Sequence, residues 1–175
     1  MPRFAAFLRG VNVGGNKKVP MAELRALLAE LGYTDIKTLL NSGNAVFSAT
    51  GKAEQHASKI ASAILASLGI EVPVIVKSAA ELTAMAEENQ LAAVADNHSR
   101  LFVTLTPNAA SLADLAPIAE LIEAPEQIQL GKHAMYLWCA SGVLESKAGA
   151  ALMGKAGRAG TTRNWATMEK ILAAL

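Results

Sequence analysis

The sequence predicts an α+β fold of two ferredoxin-like (βαββαβ-type) subdomains, each an antiparallel sheet covered by helices. Three observations carry this expectation. Over residues 1–78, apolar runs of strand length and stretches of helical period follow in the order strand, helix, strand, strand, helix, strand. A comparable series of elements begins again near residue 100, a repeat of element order and not of letters. The composition, 52% hydrophobic and 18% charged with only 5% aromatic, excludes a disordered chain and implies a core of Ala, Leu, Val and Ile. A chain of 175 residues buries such a core without a metal or a disulfide.

Each element has its own signal. "RFAAFLR" is a short apolar run of strand length, and "PMAELRALLAELG" sets Met21, Leu24, Leu27, Leu28 and Leu31 at helical spacing. Pro20 suits the start of that helix and Gly32 its left-handed end. "DIKTLL" and "NAVFSA" read as two strands joined at "NSGN", where Asn and Gly accept positive φ. A helix over residues 53–68 carries Ile60, Ile64, Leu65 and Leu68 on one stripe, and "VPVIVKS" follows as a strand that Pro73 marks as an edge. A helix at 79–88 and the polar stretch "ENQLAAVADNHS" form a linker over 79–98, separating subdomain 1–78 from a C-terminal α+β subdomain at 99–175. The second series runs "RLFVTLT", a helix near 111–122, "EQIQLG", "AMYLWCA" and a terminal helix that Thr161 or Thr162 caps, with Trp165, Met168, Leu172 and Leu175 on one face.

Charge is uneven along the chain although the net is +1. Residues 1–80 carry nine basic and five acidic side chains, residues 81–130 one and eight, and the remainder six and two, so basic charge concentrates at the two ends. The single cysteine, Cys139, lies in the apolar run "MYLWCA" and reads as a buried thiol, which fits a reducing cytoplasm. The N-terminal apolar run is too short for a signal peptide or a spanning helix, so neither export nor membrane insertion is expected.

The stretch that departs from ordinary fold chemistry is "LRGVNVGGNKKVP". Gly10, Gly14 and Gly15 can turn successive amides inward, Arg9, Lys17 and Lys18 supply positive charge, Asn12 and Asn16 supply neutral donors, and a helix N-terminus follows. No acid occurs before Glu23. The pattern suits a phosphate or carboxylate; the alternative is a solvated surface loop. Gly10 and Gly15 have GxxxxG spacing, but Asn16 and Lys17 replace the Lys and Ser/Thr of a P-loop, and GxGxxG is absent, so an NTPase or nicotinamide enzyme is disfavoured. In a βαββαβ sheet the first two strands are parallel, which places this loop and the hairpin "NSGN", with Ser42, Gly43 and Asn44, at one end of the sheet.

Near the other terminus, "TTRNWATMEKIL" places Arg163 in the first turn of the expected helix, where the dipole disfavours a cation unless an anion lies nearby. Asn164 and Trp165 adjoin it, Trp165 at the spacing of a core anchor. Together, "FLRGVNVGGNKKVPMAELRALLAELGYTDIKTLLNSGNAVF" and "TTRNWATMEKIL" resemble the two signatures of the bacterial domain of unknown function 1697 family, with similarity over essentially the full chain. The resemblance implies two α+β subdomains of ferredoxin-like type and brings no established activity. It places Arg9, Gly10, Asn12, Gly14, Gly15, Asn16, Ser42, Gly43, Asn44, Arg163, Asn164 and Trp165 at motif positions. Ala166 stands where that signature commonly continues with a polar residue.

No catalytic residue, metal ligand or cofactor follows from the sequence. His56 in a helix, His98 in the linker and His133 at a hairpin are separated and read as surface histidines, and the Glu87–Glu88 pair reads as a solvated face. Ser42 is the one nucleophile candidate. Tyr136 and Trp138 share a strand face and read as core, and the RNP pattern of RNA-recognition sheets is missing. The expected function is binding of a phosphate-bearing small molecule or a nucleic-acid backbone. An enzyme using the same pocket and a structural module without ligand are the alternatives, and the oligomeric state does not follow from the sequence.

Overall fold

Eight strands and six helices are resolved in a computed structural model that describes all residues 1–175. The chain forms two units, residues 1–82 with 170–175, and residues 83–169.

In the first unit, β1 (Arg3–Leu8) is an apolar run buried at all but its first residue, as a central strand requires. It lies between β3 (Asn44–Ser48) and β4 (Val74–Ser78), antiparallel to both, with Ala6 opposite Ala45 on one side and Val76 on the other. β2 (Thr34–Leu39) completes the order β2-β3-β1-β4. The helices are α1 (Met21–Glu30) and α2 (Ala53–Leu68), so the split βαββαβ order is present. Leu24 and Leu28 of α1 and Ile60 and Ile64 of α2 bury their side chains with Phe4, Leu8 and Phe47 of the sheet. Both edge strands are protected. β4 follows Pro73, which has no amide to offer, and β2 is interrupted by an irregularity between Thr34 and Lys37 where Asp35 adopts φ +50°.

The second unit repeats the sheet as β6-β7-β5-β8, built from β5 (Leu101–Leu105), β6 (Gln127–Leu130), β7 (Met135–Trp138) and β8 (Thr161–Asn164). α3 (Ala79–Glu88) leads into it, α4 (Ala109–Ala113) and α5 (Lys147–Met153) are short, and α6 (Trp165–Ala174) ends the chain. Met135, Leu137 and Cys139 pack with Leu112, Ile118 and Leu152, so the thiol is buried and burial raises its pKa. Tyr136 and Trp138 are core residues.

Four local expectations change. The helix expected near 111–122 is α4 followed by a 3-10 turn at Ala116–Leu121, because Pro117 lacks the amide that would continue an α-helix. Thr161–Asn164 is a strand paired with β5, Val103 opposite Arg163, so the helix starts at Trp165 and Asn164 is the residue that caps it, accepting from the Thr167 amide at 2.9 Å. Arg163 is therefore not in a first helical turn, and the dipole argument for an anion beside it falls. His56 is buried, 2% exposed. Glu88 is not merely solvated: its carboxylate accepts from the Tyr136 hydroxyl at 2.7 Å and from the amides of Lys132 and His133.

Candidate functional site

Residues 9–20 connect β1 to α1 and fold on themselves. Gly14 and Gly15, at φ +61° and +76°, occupy the centre of a tight turn closed by Asn16 N–H donating to the Val13 carbonyl at 3.2 Å. Two successive left-handed residues define a type I′ geometry, which glycine adopts without steric cost. Outside that turn, Asn12 N–H donates to the Lys17 carbonyl at 3.1 Å, and both residues are left-handed, at φ +57° and +49°. The loop is thus a miniature hairpin anchored by the buried side chains of Val11 and Val19.

Asn12 fixes this hairpin to the one that follows β2. Its Nδ2 donates to the Val19 carbonyl at 2.9 Å and to the Asn41 carbonyl at 2.7 Å, while its Oδ1 accepts from Val19 N–H at 2.9 Å. Leu8 N–H donates to the Gly43 carbonyl at 2.8 Å, and Arg9 N–H to the Pro73 carbonyl at 3.0 Å. Asn44, fully buried, donates from Nδ2 to the Leu39 carbonyl and to the Ser42 hydroxyl. The loop and the hairpin are neighbours, as the parallel run of β1 and β2 requires.

The two lysines diverge. Lys18 borders a hollow of about 320 Å³ shared with Asn12, Gly15, Val19, Pro20 and Asn41, and it is the only charged residue there. Lys17 borders another, of about 440 Å³, with Glu71, Leu65, Val72 and Pro73. Neither ammonium has an ion-pair partner. α1 starts beside the first hollow with Pro20 at its cap position and no side-chain cap, so its first-turn amides remain open to a ligand or water. Glu23, in that first turn, already compensates part of the helix dipole and opposes a second negative charge.

Arg163, Asn164 and Trp165 lie in the second unit, on β8 and the start of α6. Arg163 is 8% exposed; it donates to Thr161 Oγ1 at 2.8 Å and to the Thr162 carbonyl at 2.9 Å. Burial pushes its pKa down to about 10, which leaves it cationic at neutral pH. No group of three or more His, Cys, Asp or Glu side chains is placed to hold a metal ion, and no helix is long and apolar enough to cross a membrane. Asn41, which borders the first hollow, belongs to the "NSGN" hairpin that the sequence sets beside the loop, whereas Glu71, which borders the second, was not expected there. Glu71 arrives through the chain's return to β4, so local sequence carried no sign of it.

The family described as "Protein of unknown function (DUF1697)" matches residues 1–136, a span that includes the loop and hairpin and stops short of Arg163. A solved structure, the conserved bacterial protein SP0830 from Streptococcus pneumoniae, is similar to this chain at 25% identity with a TM-score of 0.82, over 99% of this chain and 98% of that one. No curated protein matches. With the match covering well over half of its residues, the chain belongs to the DUF1697 family of proteins of unknown function.

Proposed function

We propose that the residue 9–20 loop binds an anion, the phosphate of a small molecule or of a nucleic-acid backbone, in the hollow beside Lys18. One observation carries the reading: the only charge bordering that hollow is a lysine without an ion-pair partner, set beside the uncapped start of a ten-residue helix. The hydrogen bonds of Asn12 hold the loop in shape before any ligand arrives, which lowers the ordering cost of binding. Lys17 and Arg9 add longer-range attraction in a segment without acids before Glu23. A cytoplasmic setting is part of the proposal, because the sole cysteine is buried as a thiol. No reaction is assigned; Ser42 enters only if the bound molecule turns over.

A second reading has its own support. Asn12 and Asn44 use their side chains on main-chain and hydroxyl groups inside the fold, as in a purely structural lock. Titration with inorganic phosphate, nucleotides, sugar phosphates and short single-stranded oligonucleotides, followed by thermal shift at two salt concentrations, separates the two. Binding at a hundredfold excess over Kd raises stability by about 2.7 kcal/mol. The anion reading expects a salt-sensitive shift that Lys18→Gln abolishes. A flat response to every anion, or a shift indifferent to Lys18→Gln, leaves the structural lock.

A further inference from the structure

The least expected group in the first unit is His56. It lies in the second turn of α2, 2% exposed, inside a cage of aromatic rings. Phe4 of β1 stands edge-on at 4.8 Å between centroids, Tyr33 at 5.1 Å and Phe47 of β3 at 5.7 Å, and Tyr33 and Phe47 stack on each other at 4.4 Å. The cage therefore joins a helix, two strands and the turn after α1. Within it, His56 Nδ1 meets the Tyr33 hydroxyl at 2.8 Å, while Nε2 is buried with no hydrogen-bond partner.

The arrangement accommodates a neutral ring and resists a charged one. Burial opposes the imidazolium most, the Lys59 ammonium on the same helix opposes it further, and the Thr50 backbone, the smallest of the three influences, favours it. From the other elements that face the ring, β1 presents Phe4, β3 presents Phe47, and the turn after α1 presents the neutral Tyr33, whose own ionisation burial suppresses. The β3–α2 turn presents Gly51. None of these is a carboxylate that would stabilise a proton on the ring.

We propose that the Tyr33–His56 contact is an acid-sensitive latch: a proton on the imidazole expels the ring from its cage and frees the first turns of α2 from the sheet. Protonation adds one proton from solvent to whichever ring nitrogen lacks one in the neutral tautomer, breaks no covalent bond, and reverses when the pH rises. Release is local, because Ile60 and Ile64 hold the remainder of α2 through contacts that carry no charge.

Linkage sets the sign. A histidine depressed in the closed state and ordinary in the open state contributes its full stability above about pH 6.5 and loses it as the pH falls below that. Between about pH 7.5 and about pH 5.5 the opening equilibrium of the latch rises by up to about tenfold. The experiment is a pH titration of the whole protein by NMR, reading the His56 imidazole signals together with amide hydrogen exchange over residues 53–60, corrected for the intrinsic pH effect on exchange. The expected result is a His56 midpoint below the ordinary histidine value of about 6.5, with protection at 53–60 falling as the pH drops. His56→Phe, which fills the cage with a ring that does not titrate, is expected to remove the pH dependence. A His56 midpoint at or above about 6.5, or protection that stays constant in the wild-type protein, overturns the proposal without recourse to any variant.

Discussion

The Asn12 side-chain amide reaches the main-chain carbonyl of Asn41 across 2.7 Å, joining two turns that lie 29 residues apart. The same side chain closes its own loop through Val19 N–H and the Val19 carbonyl, and its backbone is left-handed, a region asparagine tolerates better than other side chains. Asn12→Ala therefore removes three hydrogen bonds and adds backbone strain, for an expected loss of about 2–4 kcal/mol. Asn12→Gly keeps the backbone and loses only the bonds, and is expected to cost less. Chemical denaturation of the two variants checks this order; equal losses would show that the strain contributes nothing.

Gly43 answers to a different constraint. Its φ is +88°, and a Cβ placed on it would lie 2.7 Å from Val11 Cγ2 and 2.8 Å from Leu8 Cβ, both in the core. Gly14 has φ +61° with open space around it. Gly43→Ala is expected to destabilise by about 3 kcal/mol or more, whereas Gly14→Ala costs about 1 kcal/mol, the backbone term alone. Melting temperatures of the pair provide the comparison. A mild Gly43→Ala variant would mean that the hairpin moves away from the loop at little cost.

The contrast between these glycines explains how much of this protein is legible from its residues in order. Gly14 and Gly15 announce a turn, Leu24, Leu27 and Leu28 announce a helix face, and Pro73 announces an edge strand, because each acts within a few residues of itself. The closeness of loop and hairpin was legible too, since it follows from strand direction alone. The chemistry of Asn12, His56 and Glu88 was not, because their partners stand 29, 23 and 48 residues away and no local period encodes that distance. Thr161–Asn164 was misread as a helix start for a related reason: two threonines suit either a cap or a strand, and only pairing with β5 decides between them. The divergence of Lys17 and Lys18 depends on a left-handed φ at Lys17, which no propensity foretells.

Arg163 offers a test of what a buried cation contributes. It spends one Nη1 on Thr161 Oγ1 and on the Thr162 carbonyl, and burial alone accounts for its lowered pKa. Replacement by Ala removes charged hydrogen bonds and opens space next to β5, but it also relieves desolvation, so a net loss of about 1–3 kcal/mol is expected. Arg163→Lys keeps the charge without the planar fork and is expected to recover only part of that loss. Urea unfolding of the two variants reads the difference. Full recovery by lysine would show that charge, and not guanidinium geometry, matters at this position.

Glu88 ends α3, where the helix dipole disfavours an acid, and the structure compensates by turning the carboxylate onto the β6–β7 hairpin. Burial alone would raise its pKa; hydrogen bonds from Tyr136 and from the amides of Lys132 and His133, with a smaller attraction from His133, outweigh burial and lower it. The Tyr136 phenol moves upward in response, through burial first and its bond to Glu88 second. A carboxylate depressed on folding contributes stability that is complete above its unfolded pKa, near 4.5, and that disappears as the pH falls through the folded value. Glu88→Gln, which cannot accept all three bonds, is expected to lower stability at neutral pH and to flatten the acid limb of the stability–pH curve. Tyr136→Phe removes one donor, for an expected loss of about 1 kcal/mol, and lets the Glu88 pKa rise. Denaturant titrations between pH 7 and pH 3 on the wild-type and the two variants decide the matter. An acid limb in Glu88→Gln as steep as in the wild-type protein would assign the acid sensitivity of this unit to other carboxylates.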